Sequence, residues 1–179
     1  MATITRSFIQ GQHYHVYNRG HHKEVIFRDR VDRVYFLSKL DEFCERDEMV
    51  VLAYCLLDNH FHLILRQDGV TPISSTMGSL LAGYVRMYNQ KYGEVGGLFQ
   101  GRFQAKFVHD EAYLVHLSRY VHLNPHPSSD YRTYPWSSYR QYAVGAAGIC
   151  EVASVMDYFG GVKANYATYV ESAVSPGED

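Results

Sequence analysis

Cysteine is scarce in this chain: Cys44, Cys55 and Cys150 are the only three among 179 residues. An odd count with no CxxC spacing argues against a disulfide framework and against a zinc knuckle, and leaves three small buried residues as the expectation. Long hydrophobic runs are missing too. The longest, Met49–Leu57, is far shorter than the ~20 residues a membrane helix needs. Residues 1–8 hold no apolar stretch followed by a small-residue cleavage site, so no secretory signal is read and a cytoplasmic location is expected. There is no internal repeat and no low-complexity block. Excess positive charge is also lacking, since the formal net charge is −2, whereas phosphate binding favours a positive surface.

What is present offsets that last deficit. Hydrophobic residues make up 46% and charged residues 20%, a globular composition. From Arg86 to Arg140 there are seven Lys/Arg against four Asp/Glu, while the stretch from Gln141 onward has one Lys against five acids. An acidic tail therefore masks a basic middle. The segment Tyr84–Tyr142 holds 13 of the 26 aromatic residues. Aromatics interleaved with cations suit stacking on unpaired bases, although a core role for each is the plainer reading.

Periodicity predicts a strand over His13–Asn18 and a helix over Arg30–Arg46 capped by Asp29. A hairpin of Met49–Leu57 and Phe61–Arg66 follows, turning at Asp58-Asn59. Next come a helix over Ser74–Tyr92 stopped by Gly93, a glycine-rich loop to Gly101, a strand over Phe103–Val108 and a helix over Asp110–Leu123 stopped by Asn124-Pro125. Shorter helices are expected over Trp136–Tyr142, Glu151–Tyr158 and Val162–Ala173. This order predicts an α+β fold, with helices packed on one face of a largely antiparallel sheet, compatible with a ferredoxin-like arrangement. Residues 1–142 are expected to form the functional domain, and 143–179 a C-terminal helical extension.

Two motifs carry chemistry. His60-Phe61-His62 sits at the start of a strand, where residues i and i+2 share a face about 6–7 Å apart. Two imidazoles so placed can converge on one divalent cation, Mg²⁺ or Mn²⁺, with Phe61 turned into the core. Tyr120 and Asn124, at i and i+4, share a helical face. Asn124 can supply an amide oxygen as third ligand, leaving positions open for a phosphate oxygen. Tyr120 is then placed to attack phosphorus. A tyrosine hydroxyl needs help in losing its proton, and His116 or His122 are the candidate acceptors. Alone, each motif also reads as ordinary structure, and His13-Tyr14-His15 repeats the spacing.

Together with Tyr17-Asn-Arg-Gly20, Gly97-Leu-Phe-Gln-Gly-Arg-Phe103 and Tyr134-Pro-Trp-Ser-Ser-Tyr139, the segments Leu57–Leu65 and Arg119–Pro125 resemble the single-tyrosine HUH transposases, specifically the REP-associated tyrosine transposase branch. The resemblance runs from about Tyr14 to Tyr142. It implies a ferredoxin-like core, metal ligation by His60, His62 and Asn124, and Tyr120 as nucleophile. It also implies a 5′-phosphotyrosine intermediate with a free 3′-hydroxyl, formed on single-stranded or hairpin DNA. Arg19, Gln100, Arg102 and Lys106 become DNA contacts. One departure is the loop after Pro125, where His126-Pro-Ser-Ser-Asp130 replaces the family's Val-Arg-Ala-Gly and its basic residue. No membrane partner is expected, and a monomer is favoured over a homodimer. The alternatives are a module that binds structured single strands without cutting them, and a plain metal phosphodiesterase in which Tyr120 is idle.

Overall fold

Strands β1 (His13–Arg19), β2 (Met49–Leu57), β3 (His60–Gln67) and β4 (Gln104–Val108) form one antiparallel sheet in the order β2-β3-β1-β4. The computed structural model describes residues 7–174. Helix α1 (Arg30–Arg46) links β1 to β2, and α2 (Ile73–Tyr92) links β3 to β4. This β-α-β-β-α-β sequence and strand order are those of a ferredoxin-like sheet. Strand alternation decides what faces what. Tyr14 and Val16 of β1 and Phe61, Leu63 and Leu65 of β3 bury one face against Phe36 and Leu40 of α1 and Met77, Leu80 and Tyr84 of α2.

The expected placement of helices on one face holds for α1 and α2. The opposite face is covered as well, by α3 (Glu111–Leu123) and the helices after it, α4 (Tyr139–Ala143), α5 (Ala153–Met156) and α6 (Lys163–Glu171). The reason lies chiefly in β2, which is apolar on both sides, together with Ile64 of β3. Leu52, Ala53, Cys55 and Ile64 point away from α1 and α2 and need a second cover. Among the described residues no helix is long and apolar enough to cross a membrane. Cys44 and Cys55 are buried and Cys150 half-buried, all as free thiols.

Local chemistry sets the boundaries. Asp29 caps α1 by accepting from the Asp32 backbone N–H at 3.0 Å, and Asp32 reciprocates. The fully buried Asp32 carboxylate also takes Lys91 Nζ and the Tyr92 hydroxyl, both at 2.8 Å. The start of α1 is thereby clamped to the end of α2, where Gly93 supplies the left-handed residue (φ 67°) that ends the helix. The outer edge of β2 is not left bare. Leu56 N–H donates to the Trp136 carbonyl at 2.8 Å and Ser138 N–H to the Tyr54 carbonyl at 3.0 Å.

His122 anchors α3 from within. Its Nδ1 meets the Tyr166 hydroxyl of α6 at 2.6 Å and its Nε2 meets Ser138 Oγ at 2.7 Å. Burial drives its pKa down from 6.5 to about 3. Above pH 6.5 the ring is neutral whether the chain is folded or not. Below that, the unfolded chain takes up a proton that the folded core refuses. Stability therefore falls as pH drops toward 3, by roughly 1.4 kcal/mol per pH unit from this group. In urea unfolding followed by Trp136 fluorescence, the midpoint is expected to fall between pH 7 and pH 5. The fall should be smaller for His122→Gln, and an equal fall in both would deny His122 this role.

Candidate active site

On the face shared with α3, β3 presents His60 and His62 next to Arg19 and Tyr17 of β1, their register partners. The two imidazole rings lie 5.2 Å apart, edge to face. Phe61 between them is fully buried on the other side, packed on Phe36. His60 Nδ1 is held by Asn59 Oδ1 at 2.7 Å. An amide oxygen only accepts, so Nδ1 carries the hydrogen and the Nε2 lone pair stays free. Burial lowers the His60 pKa, and the Arg19 charge adds to this, while the neighbouring Asn124 side chain works the other way.

His62 is more enclosed. Its Nδ1 lies 2.9 Å from Nε2 of His15, a residue of β1 on the same face. Burial, then the neighbouring His15, His60 and Lys106, pull the His62 pKa down to about 2. Burial and Lys106 bring that of His15 to about 4. Both rings are neutral at physiological pH.

Helix α3 brings Tyr120 over this pair. The phenol ring stands edge-on to His62 at 5.5 Å and to His15 at 6.0 Å, and the residue is 48% exposed. Asn124, one turn on, donates its Nδ2 to the Tyr120 carbonyl at 2.8 Å, and its side chain also neighbours His60. His60, His62, Tyr120 and Asn124 line one cleft of about 550 Å³. Arg19, Gln100 and Arg102 line it too, and among the described residues no carboxylate does. Lys106 lies opposite His15 on β4, its ammonium 5.5 Å from the Tyr17 ring.

Among the described residues no three His, Cys, Asp or Glu side chains converge as a metal site. The donor set on offer is therefore two imidazole nitrogens and one amide oxygen. Those three fit a divalent cation of borderline character with coordination positions left over.

His116 and His122 are not brought to the cleft. His116 is exposed, with Nδ1 at 3.2 Å from Arg119. His122 lies two residues past Tyr120, roughly 200° around the helix, and points into the core. Conversely, His15, Tyr17, Asn18, Asn59 and Gln104 surround the site without having been singled out as site residues. The same-face pairing of His13 and His15 was visible as alternation, but which of them meets His62 depends on strand register. Gln100 and Arg102 arrive on the glycine-rich loop, whose Gln100 N–H donates to the Arg19 carbonyl at 2.8 Å. A smaller hollow of about 340 Å³ continues from Arg19 and Gln100 past His21, His22 and Lys23.

Comparison with known proteins places these features in context. A family model described as IS200-like transposase matches residues 8–124. The fold is similar to that of a REP-associated tyrosine transposase bound to a REP hairpin. That match has a TM-score of 0.63 and 16% identity, over 87% of this chain and 93% of the other. A chain from Deinococcus radiodurans R1, whose crystal structure is described as that of a candidate transposase, matches at TM-score 0.47 and 14% identity. It covers 66% of this chain and 95% of its own. No curated protein sequence matches significantly.

Proposed function

The chain belongs to the IS200-like transposase family, and from that premise we propose that it nicks and rejoins single-stranded DNA through a covalent bond to Tyr120. The observation that carries this reading is the position of Tyr120, edge-on to His62 at 5.5 Å, in a cleft with two arginines and, among the described residues, no carboxylate. A phosphodiester is an anion, and this lining favours one.

His60, His62 and Asn124 would hold Mg²⁺ or Mn²⁺. Bound there, such a cation polarises the scissile phosphate and favours the charge that builds on it. The protein does the rest. Arg19 and Arg102 hold the strand by its phosphates, and Gln100 supplies an amide beside them. The Tyr120 oxygen attacks phosphorus, and its proton leaves to water on the exposed side of the cleft. The bond from phosphorus to the 3′-oxygen breaks, and that oxygen takes up a proton to become a free 3′-hydroxyl. A 5′-phosphotyrosine remains. Attack by a 3′-hydroxyl reverses the step, restores the phosphodiester and frees the tyrosine. The bond energy is conserved, so joining needs no ATP.

Hairpin-forming repeat DNA is the substrate class, in keeping with the hairpin bound by the structural relative. The catalytic unit is read as extending to residue 142, braced by the described helices after it, α5 and α6. Tyr120 stands against His62 of its own chain, so the site as read needs no second copy and a monomer is the reading kept.

The test is to incubate the full chain with Mn²⁺ and a labelled hairpin oligonucleotide with unpaired flanks. A protein–DNA band that survives denaturation, together with a fragment whose 3′ end a polymerase extends, is expected. Tight binding with neither product would favour the non-cleaving alternative. The arginines give a separate check. In fluorescence anisotropy against KCl, Arg19→Gln and Arg102→Gln should each make the slope of log K against log salt shallower by about 0.7, one phosphate contact on a single strand. An unchanged slope would take that arginine off the DNA path.

A further inference from the structure

We propose that His15 is the hydrogen-bond acceptor that holds His62 in the tautomer able to bind a divalent cation, and so is a positioning residue of the metal centre. The proposal rests on the reading of His60, His62 and Asn124 as ligands.

His15 Nε2 and His62 Nδ1 are 2.9 Å apart, and the two rings are inclined by only 23°. A ring nitrogen's lone pair and its N–H both lie in the ring plane, and ring centroids 5.1 Å apart with nitrogens at 2.9 Å place the rings end to end, nitrogen to nitrogen, rather than face over face. Between two neutral imidazoles there is room for one hydrogen. If it sits on His15 Nε2, then His62 Nδ1 is bare and the hydrogen of His62 must be on Nε2, where it blocks a metal. If it sits on His62 Nδ1, the Nε2 lone pair of His62 is free. Metal ligation requires the second arrangement. His15 and His62 are 5% and 7% exposed, so the nitrogens that face each other are largely shielded from solvent.

The comparison with His60 sharpens the point. Its outer nitrogen is oriented by Asn59 Oδ1, an obligate acceptor, which sets the tautomer outright. His15 can donate or accept. The empty site therefore has two proton arrangements at His62, and the loaded site has one.

Two substitutions separate this role from packing. His15→Phe keeps a ring against Tyr17 and Tyr120, its neighbours at 4.9 and 6.0 Å, and removes the acceptor. His15→Gln loses the ring and keeps an acceptor oxygen at similar reach. Mn²⁺ is titrated into metal-stripped full-length protein and the free ion is followed by its electron paramagnetic resonance signal. His15→Phe is expected to bind about 10–100-fold more weakly than wild type, and His15→Gln to bind nearly as well as wild type. Wild-type affinity in His15→Phe, or weaker binding in His15→Gln than in His15→Phe, overturns the proposal. His60→Ala is the control. If it binds Mn²⁺ like wild type, the ligand set itself is wrong. If it loses Mn²⁺ while His15→Phe does not, only the part given to His15 falls. A readout independent of variants is long-range ¹H–¹⁵N NMR of the Mg²⁺-loaded wild type. A proton on His62 Nδ1 is expected there, and one on Nε2 overturns the idea.

Discussion

Tyr120→Phe is expected to lower strand cleavage by at least about 10³-fold, as loss of a covalent nucleophile does, with DNA affinity nearly unchanged. Phenylalanine preserves the ring that stands against His62 and His15. The side chain is half in solvent, so losing the hydroxyl leaves no buried partner unsatisfied. The loss is therefore chemical rather than structural. Denaturing gels of a labelled hairpin would show it as disappearance of both the covalent band and the cut fragment. Cutting that persists at near wild-type rate, yielding a free 5′-phosphate, would make this a hydrolytic phosphodiesterase and remove the tyrosine from the mechanism.

His60→Ala carries the second large effect. A cation that stabilises several kcal/mol of developing charge corresponds to about 10³-fold or more in rate, and chelation by EDTA should match the substitution. His60 is the better target of the two. It and its partner Asn59 are both only half-buried, whereas removing His62 would strand the His15 nitrogen in the core. Cleavage rates measured across a Mn²⁺ titration distinguish the outcomes. A rate that high Mn²⁺ restores indicates weakened ligation. A rate equal to wild type without added metal would end the case for this ligand.

Much of the fold was readable because local signals agree. Asp29 and Gly93 mark helix ends where the structure has them, and Asp58-Asn59 closes the hairpin. The same-face pairing of His60 and His62 follows from strand periodicity alone. What escaped depends on partners far along the chain. Which β1 residue meets His62 is set by the β1–β3 register, which pairs Tyr17 with His62 and brings His15 in diagonally. That α3 lies opposite α1 and α2 follows from the second apolar face of β2, which Ile64 of β3 extends. His122 was the weaker of the two candidate proton acceptors by its angle on the helix, and that angle sends it to Tyr166 and Ser138, partners that lie far along the chain from its motif.

The helix bearing Tyr120 is riveted from behind. His122 and Ser118 both bond to Tyr166 inside a fully buried core, so α3 cannot lift from the sheet without stripping buried polar groups of their partners. In the proposed chemistry the severed 5′ end thus rides on an immobile post. Any exchange of strands then falls to the nucleic acid, whose loose 3′ terminus leaves and is replaced, while the polypeptide serves as a stationary vice.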